Sequence, residues 1–137
     1  MVFEFTKKIY GYECDVYGHL NNANYLAVYE AARVEALLEM GMPIKKLLEK
    51  GYMLYLVKVE LDYKKSIELE EIIKIKSRVI EHNRIKAVWD QRIYDSKGNL
   101  CNIGIITGVY VSNGKTTRID GELCTFFDSF VDKDMSL

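Results

Sequence analysis

An α+β fold, one long helix packed against an antiparallel sheet of about five strands, is the architecture that the 137-residue chain predicts. Helical periodicity of any length is confined to Ala23 to Met40, where Tyr25, Tyr29, Ala32, Ala36 and Met40 recur at three- and four-residue steps. After Gly51 the period shortens to two, with Val57, Val59, Leu61 and Tyr63 alternating with Lys58, Glu60, Asp62 and Lys64. Turn signals at His82-Asn83, at Asp95 to Gly98 and at Asn113-Gly114 then divide the rest into consecutive antiparallel strands.

In chain order, Phe3 to Tyr10 alternates weakly and reads as a first or edge strand ended by Gly11. The Ala23–Met40 helix carries an N-cap at Asn21 or Asn22, a left-handed C′ residue at Gly41 and a stop at Pro43. Leu26, Val28 and Leu37 widen its apolar face, and Ala27, Ala31, Ala32 and Ala36 would let a sheet come close. Pro43 to Lys50 reads as a short connecting helix closed by Gly51. Strands are expected around Val57 to Lys64, Ile73 to Val79, Ile85 to Ile93 and Leu100 to Val111, with a short one near Ile119. His82 serves only as turn material in this reading. Gly104 and Gly108 inside a strand call for a bulge, a close backbone approach or curvature around the helix. Leu123, Phe126, Phe127 and Phe130 recur behind Asp120 as a small C-terminal amphipathic helix.

Composition narrows the function classes. The length fits a single domain over residues 1–137. With 49% apolar residues, 28% charged residues and a net charge of -1, neither disorder nor a general nucleic-acid binder is favoured, and a small-molecule partner is expected. Cys14, Cys101 and Cys124 form an odd set without CxxC spacing, which argues against a disulfide framework or a zinc site. No run approaches about 18 uninterrupted apolar residues and no apolar leader opens the chain, so a cytoplasmic protein without a membrane span is expected.

Candidate chemistry is concentrated where polar loop meets helix, in Asp15, Gly18, His19, Asn21 and Asn22. The first N–H groups of a helix lack internal acceptors and, with the macrodipole, can hold an anion or a developing oxyanion. Asp15 is the general base or nucleophile to set beside them; its structural counterpart is an Asx-turn or capping aspartate. His19 is read equally as a group orienting the reacting centre and as one that orders the loop. A Cys14–His19 nucleophile pair would need mutual geometry and an orienting third group that adjacency does not supply. Glu68, Glu70 and Glu71 are read as a solvated edge, and no metal is expected.

The segment Cys14 to Tyr25, CDVYGHLNNANY, resembles the active-site segment of hot-dog-fold acyl-CoA thioesterases, closest to the 4-hydroxybenzoyl-CoA thioesterase-like branch. The family's D-x-x-G element followed by N-Y at the helix start is similar to Asp15, Gly18, Asn24 and Tyr25 here. Glu30, Ala32 and Arg33 in the helix and the Tyr63-Lys64 pair extend the likeness along about the whole chain. A proline usual after the strand near Ser66 is absent, and His19-Leu20-Asn21-Asn22 replaces more apolar residues of the aromatic-substrate enzymes.

What the resemblance implies is hydrolysis of an acyl-CoA thioester, with Asp15 as catalytic carboxylate, the Asn22 backbone N–H polarising the carbonyl and His19 assisting. Gly18, Asn21 and Tyr25 are further candidates for substrate contact, against a capping role for Asn21 and a core role for Tyr25, and Arg84 and Lys86 are similar in place to basic residues near the nucleotide of coenzyme A, against an ordinary exposed strand face. It further implies no cofactor, since coenzyme A is part of the substrate, and a homodimer or homotetramer with its site between subunits. Two rivals share the fold class. A hot-dog dehydratase would carry a histidine in a proline-rich loop, whereas Pro43 is the chain's one proline. A catalytically silent module binding an acyl or aromatic ligand is the alternative of another class.

Overall fold

The computed structural model describes residues 1–134. Its strands are β1 (Phe3–Lys8), β2 (Met53–Tyr63), β3 (Ile72–His82), β4 (Lys86–Tyr94), β5 (Leu100–Ser112) and β6 (Lys115–Thr116), and its helices α1 (Tyr25–Met40), α2 (Ile44–Glu49) and α3 (Gly121–Asp128). The named strands pair antiparallel throughout, in the order β1-β3-β4-β5-β2, with β6 added to β5. The sheet curls around α1, whose Tyr25, Val28, Tyr29, Ala32, Ala36, Leu37 and Met40 are buried against it. This is the hot-dog arrangement that the sequence led us to expect.

Of the boundaries that differ, three have a clear local reason. α1 begins at Tyr25 rather than Ala23, because the Asn21 side chain accepts from Ala23 N–H and tightens Asn22–Asn24 into a 3₁₀ turn first. β2 starts at Met53, ahead of the alternating stretch, because a bulge between Leu56 and Lys58 breaks its period; Val57 lies 60% exposed. The short strand expected near Ile119 is Lys115–Thr116 instead, while Ile119 is fully buried and its N–H donates to the Arg84 carbonyl. Leu26, expected on the covered face, is exposed. Phe130 lies beyond α3 yet packs on Phe126, with ring centroids 5.3 Å apart.

Gly104 resolves the question of its own strand. A Cβ there would stand 2.8 Å from the Tyr29 ring, so the residue permits the close approach of α1 to β5. The Tyr29 hydroxyl donates to Asn102 Oδ1 at 2.7 Å from the same ring. One helical turn on, Arg33 Nη1 donates to Gln91 Oε1 at 2.8 Å, and Gln91 Nε2 donates to the Tyr29 carbonyl (3.0 Å) and to Ser77 Oγ (2.9 Å). Three inward-facing polar residues, Ser77, Gln91 and Asn102, one from each of three strands, thereby fix where along the sheet α1 can sit, because any slip would strand buried donors and acceptors.

Candidate functional site

The loop before α1 is a small hairpin closed on itself. Asp15 N–H donates to the His19 carbonyl (2.8 Å), Cys14 faces Leu20 as an isolated bridge, and Asn21 N–H donates to the Glu13 carbonyl (3.0 Å). Gly18 at φ 76° makes the reversal, a left-handed conformation that costs an L side chain energy. Its carbonyl accepts from Leu69 N–H at 2.9 Å, and Leu20 N–H donates to the Ile67 carbonyl at 2.8 Å. The hairpin is thus stitched to the segment entering β3.

Asp15 is half-buried, and its Oδ1 accepts from the N–H groups of Tyr17 (2.9 Å) and His19 (3.3 Å). The Asx-turn is real, but it occupies one carboxylate oxygen only; Oδ2 accepts from no described residue. The ladder brings Asp15 level with His19, three residues ahead of Asn22. Asn22 N–H, the first donor of the 3₁₀ turn, has no acceptor among the described residues, while its carbonyl accepts from the Tyr63 hydroxyl at 3.1 Å. The turn is therefore anchored by oxygen and open by nitrogen. Asn24 Nδ2 adds a second tie, to the Glu13 carbonyl at 2.8 Å.

The imidazole of His19 is paired with Glu68, its Nε2 3.2 Å from Glu68 Oε1, and makes no described side-chain bond to Asp15. Its coupling to Asp15 runs through backbone groups. Tyr25 is 2% exposed, packs edge-on against Tyr63 at 4.9 Å, and has its phenol pushed up to about 12 chiefly by burial, then by Cys101, Tyr63 and Asp15. Cys14 is a poor nucleophile, since burial and the neighbouring Asp15, Glu13 and Glu68 all raise its thiol pKa.

Arg84 and Lys86 are not brought to this loop in the folded chain. They flank the β3–β4 turn, whereas the Asp15 hairpin packs beside the start of β3, ten residues or about 33 Å away along the strand. Arg84 Nε donates to the Ile119 carbonyl at 2.7 Å and Lys86 Nζ lies 3.6 Å from Glu81.

Three features escaped the sequence. His82 is not turn material but the last residue of β3, its side chain 1% exposed, with Nδ1 2.7 Å from Asp128 Oδ1 and Nε2 2.6 Å from the Tyr110 hydroxyl. A cavity of about 330 Å³ opens between α1, α2, β2 and the inner sheet face, walled by Leu37, Leu47, Leu54, Trp89 and Tyr110, with His82 beside it. Arg33 also lines it. Arg33 had entered only as part of the helix pattern with Glu30 and Ala32, and nothing local pointed to a cavity beside it.

Curled sheet, buried central helix and acid-bearing hairpin together define a hot-dog protein of the thioesterase kind. The family comparison agrees: residues 11–127 match the model of the thioesterase-like superfamily, and the chain belongs to that family. It is 28% identical over 119 residues to the long-chain acyl-CoA thioesterase FadM of Escherichia coli, covering 85% of this chain and 89% of that one. It is 27% identical over 92 residues to the acyl-CoA thioesterase YbgC of Haemophilus influenzae, covering 66% and 68%. Among solved structures, a DHNA-CoA thioesterase from Staphylococcus aureus shares the fold at TM-score 0.89 and 22% identity, over 93% of this chain and 89% of that one. A hypothetical protein from Thermus thermophilus does so at TM-score 0.91 and 20% identity, over 97% and 100%. Among the described residues no helix is long and apolar enough to cross a membrane.

Proposed function

We propose that this thioesterase hydrolyses an acyl-CoA thioester to the free acid and coenzyme A, with Asp15 as the catalytic carboxylate. The observation that carries the reading is the half-engaged carboxylate. One oxygen of Asp15 is held by two backbone N–H groups, so the side chain is aimed, and the other has no described partner. Attack on the thioester, by Asp15 Oδ2 itself or by a water it deprotonates, puts negative charge on the carbonyl oxygen. The uncommitted Asn22 N–H at the start of the 3₁₀ turn leading into α1 is the donor for that oxygen, and a positioned donor contributes roughly 3–4 kcal/mol to such a transition state. The thiolate of coenzyme A then leaves, giving the free acid directly where water attacked, or an acyl–Asp15 mixed anhydride that a water molecule cleaves to the acid and free Asp15. No cofactor or metal enters this scheme.

Gly18 and Asn21 act through the backbone they shape, and Tyr25 with Tyr63 supplies an aromatic wall behind the turn. His19, tied to Glu68, holds the hairpin rather than the proton. We assign the working unit to a homodimer or homotetramer with the site between subunits. β2 is an outer strand with Tyr55, Leu56, Val57 and Tyr63 exposed, an edge that soluble proteins ordinarily cover. Arg84 and Lys86, remote from Asp15 in their own chain, would serve coenzyme A phosphates across that interface. A cytoplasmic location, where coenzyme A thioesters are made, completes the reading.

Release of free thiol from short, long and aromatic acyl-CoAs tests it. Turnover of at least one class is expected. Silence across the panel, accompanied by measurable ligand binding, would instead make the protein a binding module.

A further inference from the structure

Arg33 is 8% exposed, and no described carboxylate lies within ion-pair distance of its guanidinium. Among the described residues its one side-chain hydrogen bond is the 2.8 Å contact of Nη1 with the neutral Gln91 amide, and Nε and Nη2 have no partner. Those two nitrogens are also not sealed off, unlike the orphaned interior atoms Arg78 Nε, Trp89 Nε1 and Asn102 Nδ2. Arg33 lines the 330 Å³ cavity, so accessible space lies against a cation that burial disfavours. Glu30, on the rim of the same cavity, is the nearest opposing charge and forms no ion pair with it.

An unpaired buried charge is costly, and a buried cation facing an apolar cavity is compensated when the occupant brings an anion at one end and hydrocarbon at the other. We propose that this cavity is a binding site for a linear aliphatic carboxylate, its carboxylate on Arg33 and its tail running toward Tyr110. Carboxylate geometry suits the free Nε–Nη2 edge, which can donate two parallel hydrogen bonds. The length follows from the sheet. Arg33 is pinned at Gln91, and the far wall stands at Ala87, four residues or about 13 Å along β4, which takes a medium-chain acid rather than an acetate-sized one. Hydrolysis of an acyl-CoA yields an acid of this kind, and free fatty acids offer the same chemistry.

Trp89, the chain's one tryptophan, lies in the cavity wall and reports occupancy directly. Titration with decanoate should shift its emission saturably, with butyrate and the neutral 1-decanol binding at least about tenfold more weakly, as loss of a hydrogen-bonded charge requires. Arg33→Met should bring decanoate and decanol to the same affinity, and Arg33→Lys should restore part of the preference. Equal binding of decanoate and decanol by the unaltered protein overturns the proposal without any variant. So does a decanoate preference that survives Arg33→Met, or an absence of decanoate binding because a second copy already seats a carboxylate on Arg33. Hydrolysis is not part of this readout, so failure here and failure of thioester turnover are separate results.

Discussion

The hairpin that carries Asp15 and the interior band around Tyr29 and Arg33 are both polar, and they use polarity in opposite ways. In the hairpin, side chains bond to nearby backbone: Asp15 to Tyr17 and His19, Asn21 to Ala23. In the interior, side chains bond mainly across elements: Tyr29 to Asn102, Arg33 to Gln91, Gln91 to Ser77. Local bonds shape a loop and leave atoms over for a ligand, whereas long-range bonds lock the helix to the sheet. A substitution should therefore change chemistry in the first region and stability in the second.

The largest expected effect sharpens that division. Asp15→Asn keeps an oxygen for the Tyr17 and His19 N–H groups, so melting temperature should hold while acyl-CoA turnover falls by about a hundredfold or more. Undiminished turnover would remove Asp15 from catalysis. Next comes Asp90, 3% exposed between Arg78 (2.9 Å) and Arg92 (3.1 Å). Asp90→Ala leaves buried Arg78 without its counter-charge and should cost about 3–5 kcal/mol in denaturant unfolding. Tyr29→Phe takes the hydrogen from Asn102 Oδ1, whose Nδ2 already lacks a partner, and about 1–3 kcal/mol is expected. A marginal loss there would mean the interior band is not what fixes α1.

A smaller effect depends on pH. The ammonium of Lys65, and then the N–H groups of Asn99 and Lys97, hold the Asp95 carboxyl well below the usual carboxylate range. A group depressed in the folded state stabilises above its unfolded value of about 4 and loses that contribution as pH falls toward its folded value. Thermal melts should thus show an acid-side decline in the native protein that is shallower in Asp95→Asn. The smallest change is expected from Glu68→Gln, which breaks an exposed pairing with His19 worth under about 1 kcal/mol.

Much of this was legible in one sequence because it is local. The helix, the Asn113-Gly114 turn with both φ values positive, and the Gly18 reversal are each set by neighbouring residues. So was the crowding of Asp15, His19 and Asn22 before α1. What stayed hidden depends on residues distant in sequence. Nothing local singles out Gln91 or Asn102; the sheet register alone places them beneath α1. His82 looked like a turn because Asp128 and Tyr110, which bury and bind it, lie 46 and 28 residues away. The β2 bulge at Val57 likewise erased the two-residue rhythm over Met53 to Leu56.

The missing methyl at Gly104 carries a consequence for engineering the protein. Because the Tyr29 ring rests on that bare backbone, the gap between helix and sheet is a set dimension rather than an adjustable one. Widening it by even one carbon would lever α1 outward along its length, disturbing the hairpin at one end and the cavity at the other together. The cavity is therefore better reshaped from the α2 wall, where Ile44 and Leu48 reach solvent and can change size without moving the frame.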